Sequence, residues 1–259
     1  CKSVIHLAAL IGIPYSYISP QSYYETNVKG TLNILQTAKD LRIKKVIHTS
    51  TSEVYGTAKR IPIDENHPVD GQSPYSASKI AADQMAISFY KSFGLPISII
   101  RPFNTYGPRQ SARAIIPTII LQLLSGKKEI ALGSTGTTRD FSYIDDTVDA
   151  FVNSIAAKNI EGEIINLGSG TETSIKDLVE IISTQMNIKC KIVKDKKRIR
   201  PLKSEVNRLL SENSKAIKKL KWQPKYLGKS GLIKGLKETI NWLSKKENLK
   251  KYKSEIYNV

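Results

Sequence analysis

Three short apolar runs recur in the first hundred positions, each closing on small, hydroxyl-bearing or basic residues: Ser3 to Ala9, Lys45 to Ser50 and Pro96 to Arg101. Runs this short, bounded by turn-forming residues, are the pattern of strands buried on both faces. Helical spacing fills the gaps between them. Gln21 to Leu41 sets Val28, Leu32, Leu35, Ala38 and Leu41 on one face, and Tyr75 to Phe93 follows Pro74, a residue suited to a first helical turn. Strand and helix in alternation predict a parallel α/β sheet, in which ligands lie beyond the carboxyl ends of the strands. Ala8-Ala9, Ser50 to Glu53 and Pro102 to Asn104 are therefore the places to look for chemistry.

Past Pro108 the alternation loosens. A helix over Ala114–Leu124, a strand over Glu129–Leu132 and a polar turn over Gly133–Thr138 read as an insertion. A strand at Arg139–Ile144, a helix at Asp145–Ala157 and a strand at Glu163–Gly168 return to the sheet. A helix at Ser174–Met186, a strand at Lys189–Val193 and helices at Ser214–Leu220 and Gly228–Leu243 make a smaller second lobe. The expected division is 1–107 and 139–168 for a cofactor-binding domain, 108–138 and 169–243 for a substrate-binding lobe, and a charged, fraying tail over 244–259. No G-x-G-x-x-G is present, and Leu167-Gly-Ser-Gly170 lacks the third glycine. The expected fold class is thus α/β, a Rossmann-type parallel sheet whose N-terminal strands and Gly-rich loop are missing, with a smaller C-terminal substrate-binding lobe. The sequence opens on Cys1 inside a strand pattern, which places the natural start elsewhere and leads to the expectation that this chain alone binds a dinucleotide poorly.

Charge alters this picture little. The 259 residues carry a formal charge of +17, but lysine is spread along the chain and thickens after Lys189 with few aromatics interleaved. That is the distribution of solvated helix faces, so no nucleic-acid partner is expected. The longest apolar run, Ile115 to Leu124, is broken by Pro117, Thr118 and Gln122, and no membrane partner is expected either. Cys1 and Cys190, without CxxC spacing, suit a reducing compartment, and the expected location is cytoplasmic. His6, His48 and His67 lack ligand spacing; His6 and His48 fall inside strand patterns as core residues, and no metal site is expected.

A tyrosine followed four residues later by lysine places both on one helical face, where an ammonium can depress the phenol's pKa and hold a ribose. The spacing occurs at Tyr55/Lys59 and Tyr75/Lys79. Gly56 and Pro62 argue against a helix at the first pair, so Tyr75 and Lys79 are the candidates. Thr49, Thr51, Ser52 and Glu53, at the end of a strand, offer hydroxyls and a carboxylate. Such hydroxyls also serve as ordinary turn caps, whereas a carboxylate aimed into a crevice asks for a function. For Arg113, Arg139 and Arg200 the plain alternative is surface solvation or an ion pair.

Taken together, His6-Leu-Ala-Ala9, Asn27-Val-Lys-Gly30, Thr51-Ser-Glu-Val-Tyr-Gly56, Tyr75-Ser-Ala-Ser-Lys79, Arg101-Pro-Phe-Asn-Thr-Tyr-Gly-Pro-Arg109 and Arg139-Asp-Phe-Ser-Tyr-Ile-Asp-Asp146 resemble the extended short-chain dehydrogenase/reductase family in order and spacing. The resemblance runs from Val4 to about Trp242. Within it the chain is most similar to nucleotide-sugar 4,6-dehydratases of the N-acetylglucosamine type that feeds legionaminic-acid synthesis. This implies NAD as cofactor, a nucleotide-sugar substrate and a homodimer. It also implies roles: Tyr75 as the base at the sugar O4, Lys79 on the nicotinamide ribose, Thr51 hydrogen-bonded to O4, and Glu53 removing the C5 proton. Ala8, Ala9, Asn27 and Thr49 would line the cofactor; Asn104, Arg139 and Arg200 would meet the substrate. One departure bears on the chemistry, since dTDP-glucose dehydratases carry Asp-Glu where this chain has Ser52-Glu53. GDP-mannose dehydratases and UDP-glucuronate decarboxylases resemble the chain there, so a decarboxylase and a 4-epimerase stay open beside the dehydratase. An inactive fragment or a binding protein is the reading from another class.

Overall fold

The computed structural model describes residues 1–252. In chain order the elements are β1 (Ser3–His6), α1 (Ile13–Ile18), α2 (Pro20–Tyr23), α3 (Gly30–Asp40), β2 (Lys45–Thr49), α4 (Pro74–Phe93), β3 (Ile97–Pro102), β4 (Asn104–Tyr106), α5 (Ile115–Leu124), β5 (Glu129–Leu132), β6 (Thr138–Tyr143), α6 (Ile144–Ala156), β7 (Ile164–Leu167), β8 (Glu172–Ser174), α7 (Ile175–Gln185), β9 (Lys191–Lys194), α8 (Ser214–Leu220), α9 (Gly228–Leu243) and α10 (Lys246–Leu249).

The apolar runs pair as a parallel sheet in the order β1-β2-β3-β7, with His6 beside His48 and Thr49 beside Ile100. β-Branched residues fill both faces. On one, α3 and α4 bring Leu35, Ala38, Ala86 and Phe89 onto Val46, Ile97 and Ile99. On the other, α6 and α8 close over Ile47, Ile100 and Ile165, with Trp222 fully buried among them. A second core joins α5, β5, β6, α7 and α9 around Ile119, Ile120, Phe141, Leu178 and Leu236. Among the described residues no helix is long and apolar enough to cross a membrane.

The structure differs from the sequence expectation at several places. β1 stops at His6, so Ala8 and Ala9 lie in the loop beyond it rather than in the strand. The single helix expected over Gln21–Leu41 is α2 and α3 joined through a π-helical turn at Tyr24–Lys29, and Leu41 is exposed instead of sharing the buried face. Thr138 belongs to β6 rather than to the preceding turn. β4 and β8, three residues each, went unpredicted; they flank β6 in a small mixed sheet. Of the tail, Lys246–Leu249 is helical, while residues 253–259 lie outside the described part.

Candidate functional site

Helix α4 opens with a reciprocal cap: the Ser73 side chain accepts from the Ser76 amide while Ser76 Oγ accepts from the Ser73 amide, and Pro74 fills the first turn. That start sets Tyr75 and Lys79 on the same inward face, both buried. Lys79 Nζ donates to the Thr49 carbonyl at the end of β2, 2.7 Å away. Burial pushes the ammonium's pKa down and the nearby Asp83 carboxylate pulls it back. Tyr75 departs from expectation: burial raises its phenol pKa, with a Thr51 hydrogen bond acting against it and the Glu53 charge adding to the rise. Burial, and not the Lys79 ammonium, dominates the phenol in this arrangement.

After β2 the chain turns tightly through Ser52–Tyr55, with Thr51 as the cap whose Oγ1 accepts from the Glu53 amide at 3.2 Å. Gly56, at φ 61°, ends the turn where a Cβ would strike the Asp70 carbonyl. Thr51, Ser52 and Glu53 are all buried, within the field of Tyr75. Tyr55 lies in this turn rather than in an α-helix, so it shares no helical face with Lys59.

Ala8 and Ala9 start the loop that leaves β1. Asn27 is fully engaged elsewhere: its Oδ1 accepts from the Leu10 amide (2.8 Å), and its Nδ2 donates to the Leu10 carbonyl (3.0 Å) and to Ser78 Oγ (2.9 Å). Asn27 lies in the π turn and ties the loop after β1 to α4. The Tyr23 hydroxyl donates to the Gly12 carbonyl, and its ring meets that of Tyr75 edge-on at 6.1 Å.

On the substrate side, Arg139 is buried on β6 and Arg200 half-buried before a short turn. Glu205 Oε1 stands between them, 3.8 Å from Arg139 Nη2 and 3.7 Å from Arg200 Nη1. Burial lowers the Arg139 pKa, Glu53 opposes this, and Arg200 reinforces it. Asn104 sits at the start of β4. Among the described residues the buried Thr49 Oγ1, Asn104 Oδ1 and Arg200 Nη1 have no hydrogen-bond partner, and for the two neutral oxygens that costs about 1–3 kcal/mol each, which a ligand's polar groups would remove. Arg113 is exposed near Gly12.

Sequence reasoning missed the groups behind this crevice. Asp83 Oδ2 accepts from Ser50 Oγ (2.8 Å), Arg101 Nε (3.1 Å) and Arg101 Nη2 (2.9 Å). Arg101 Nη1 continues to the Tyr55 hydroxyl at 2.9 Å, which donates to Asn166 Oδ1 at 2.7 Å. The spacing Tyr75, Lys79, Asp83 was the available signal. His67 is buried, its Nε2 accepting from the Lys59 amide and its ring edge-on to Tyr55, a structural contact.

The family model described as GDP-mannose 4,6 dehydratase matches residues 1–234. The chain belongs to this family. Among relatives of the GDP-mannose 4,6 dehydratase family, the UDP-glucuronate 4-epimerase of Thermodesulfobacterium geofontis is 35% identical over 98% of the chain and 75% of its own length. The human dTDP-D-glucose 4,6-dehydratase is 32% identical over 97% of the chain and 70% of that protein. The crystal structure of UDP-glucuronic acid 4-epimerase from Bacillus cereus, in complex with UDP-glucuronic acid and NAD, superposes with a TM-score of 0.86 at 30% identity, covering 93% of the chain and 75% of its own. The family thus spans dehydratases and epimerases on one α/β fold.

Proposed function

We propose that the protein is an NAD-dependent nucleotide-sugar 4,6-dehydratase acting on UDP- or GDP-N-acetylglucosamine. The observation that carries this is Glu53, a buried carboxylate one tight turn from Thr51 and within the field of Tyr75. Oxidation at C4 needs only the tyrosine and lysine; a second, buried acid-base group gives the site a means to remove a further proton.

The cofactor's chemistry is reversible hydride exchange, and Thr49, Lys79 and the loop at Ala8-Ala9 are the groups to hold it; the unpartnered Thr49 Oγ1 and the buried Lys79 ammonium fit a ribose hydroxyl pair. Tyr75 takes the proton from O4, with Thr51 orienting that oxygen. Glu53 then removes the C5 proton beside the new ketone and returns a proton to the departing C6 hydroxyl, so that one water leaves; the resulting 5,6-alkene regains the hydride at C6 and a proton at C5, giving the 4-keto-6-deoxy sugar. Ser52 stands where an acid would otherwise serve, and its hydroxyl is too weak an acid to give up its proton at neutral pH, which leaves that step to Glu53. Arg139 and Arg200 hold the diphosphate and Asn104 a sugar or phosphate oxygen. We assign residues 1–107 and 139–168 to the cofactor and 108–138 and 169–243 to the nucleotide sugar. The free thiols Cys1 and Cys190 fit a cytoplasmic setting, and Tyr90 and Phe93, exposed on α4, fit a homodimer.

A 4-epimerase is the second reading, favoured by the 35% identity to a UDP-glucuronate 4-epimerase. The test is a mass spectrum of products after the full-length protein meets UDP- and GDP-N-acetylglucosamine and UDP-glucuronate with NAD. A product lighter by one water supports the dehydratase and names its nucleotide. Unchanged mass with inverted C4, or loss of carbon dioxide from the uronate, overturns it.

A further inference from the structure

We infer that Asp83 is a positioning residue for Lys79, holding the buried ammonium in place and charged, and thereby setting the alkaline limit of the enzyme. The inference deepens the proposed function and rests on Lys79 serving the redox step there.

The geometry is a closed ring. Lys79 Nζ reaches the Thr49 carbonyl at 2.7 Å; the next residue, Ser50, donates through Oγ to Asp83 Oδ2 at 2.8 Å; Asp83 returns to Lys79 through one turn of α4. The Ser50 amide is in turn fixed to the Ile100 carbonyl at 2.7 Å. The end of β2 and the inner face of α4 are therefore locked at the level where the ammonium docks. Arg101 grips the same carboxylate oxygen from β3 with two nitrogens, so Asp83 cannot swing away from this position.

Charge counting explains why a carboxylate is needed. The groups facing Lys79 and Asp83 are His6 on β1, His48 on β2, Arg101 on β3, Tyr55 and Glu53 on the turn after β2, and Tyr75 on α4. His48 Nε2 lies 3.2 Å from Asp83 Oδ1, and burial holds both histidines in the neutral form. Lys79 and Arg101 are then two buried cations with Asp83 between them. Burial alone would raise the Asp83 pKa, but His48, Arg101 and Ser50 outweigh it and keep the carboxylate ionised. Asp83 is the acid whose field supports the Lys79 ammonium against burial. Without it, a buried amine beside an arginine gives up its proton readily.

The experiment compares Asp83→Asn, Asp83→Glu, Ser50→Ala, Arg101→Gln and the double variant D83N/R101Q in the full-length protein. Two readouts are used: the pH profile of turnover, and the pH dependence of Lys79 acetylation by acetic anhydride, followed by peptide mass spectrometry. D83N is expected to move both the alkaline limb and the onset of labelling down by about one pH unit or more. D83E is expected to restore them, and S50A to lower turnover without moving either. Should D83N fail to fold, the double variant is read against R101Q, so that the carboxylate is the one charge lost and Arg101 is not left unpaired. If D83N loses melting temperature or turnover while both pH profiles stay at parent values, or those of the double variant stay at the values of R101Q, Asp83 is only structural and the inference is overturned. Lys79→Met separates the two levels: full turnover in that variant removes Lys79 from the chemistry and sinks the proposed function itself.

Discussion

Proton traffic at the centre of the crevice depends on Tyr75, a phenol whose burial makes it a poor acid until O4 and the redox step are aligned with it. Tyr75→Phe removes the proton carrier and keeps the ring packed against Tyr23, so turnover is expected to fall about 10²- to 10⁴-fold with the melting temperature little changed. Glu53→Gln is expected to cut water loss by a similar factor while exchange of deuterium between C4 and the cofactor persists, read by mass spectrometry; equal loss of both would place Glu53 outside the elimination step. Tyr75, Lys79, Thr51 and Glu53 were legible in the sequence because each sits within a few residues of a strand end or helix start that the apolar pattern marks. Glu205 and Asp83 were not. Glu205 meets Arg139 from 66 residues away in the chain, and Asp83, on α4, gains meaning only from Ser50 just past β2 and Arg101 on β3. Asn27 shows the limit from the other direction: the motif marked the right residue, but its amide holds a loop in place.

At the level of elements, α4 and even the four-residue β5 fall where the pattern puts them, while the three-residue β4 and β8 and the π turn inside Gln21–Leu41 do not show in it. α4 carried its own punctuation, with Ser73 and Pro74 at its start and Gly94 at φ 64° just past its end. β4 and β8, at three residues each, are too short to show an alternation, and they exist because β6 offers them partners. The segment between α8 and α9 illustrates what tertiary packing adds. Trp222, following α8, is 1% exposed and donates its indole nitrogen to the Asp146 carbonyl at 2.7 Å, tying the C-terminal segment to α6. Asp146 also accepts from the Lys225 and Tyr226 amides, at 2.7 and 2.8 Å. Trp222→Ala is expected to cost about 3–5 kcal/mol, seen as a lower urea midpoint, through the cavity it leaves. Trp222→Phe, which keeps most of the volume and loses the indole donor, is expected to cost markedly less.

For the molecule as a whole, the paired histidines on adjacent strands make stability depend on pH. His6 and His48 lie side by side, ring centroids 5.8 Å apart; burial lowers both, His6 to about 4. An unfolded chain protonates both near pH 6.5, whereas the folded chain resists, so the unfolded state binds more protons as the pH falls below that value. Stability is therefore fully present above pH 6.5 and declines toward pH 4, by about 1.4 kcal/mol per pH unit for each histidine. Urea midpoints at pH 7 and pH 5 are expected to show the fall, and His6→Asn, which keeps a partner for Thr31 Oγ1, is expected to halve its slope. The π turn sets a different constraint on the whole chain. It carries more residues than an α-helix needs between α2, whose Tyr23 braces Tyr75, and α3, whose Leu35 and Ala38 fasten to the sheet. Deleting one residue there would let the helix run as regular α, with Tyr23 and Leu35 eleven positions apart, and at about 100° per residue that is within about 20° of whole turns, so both would still face inward. A single deletion between Tyr24 and Lys29 is thus open to this protein, whereas an insertion would turn α2 by about 100° against α3 and take Tyr23 off Tyr75.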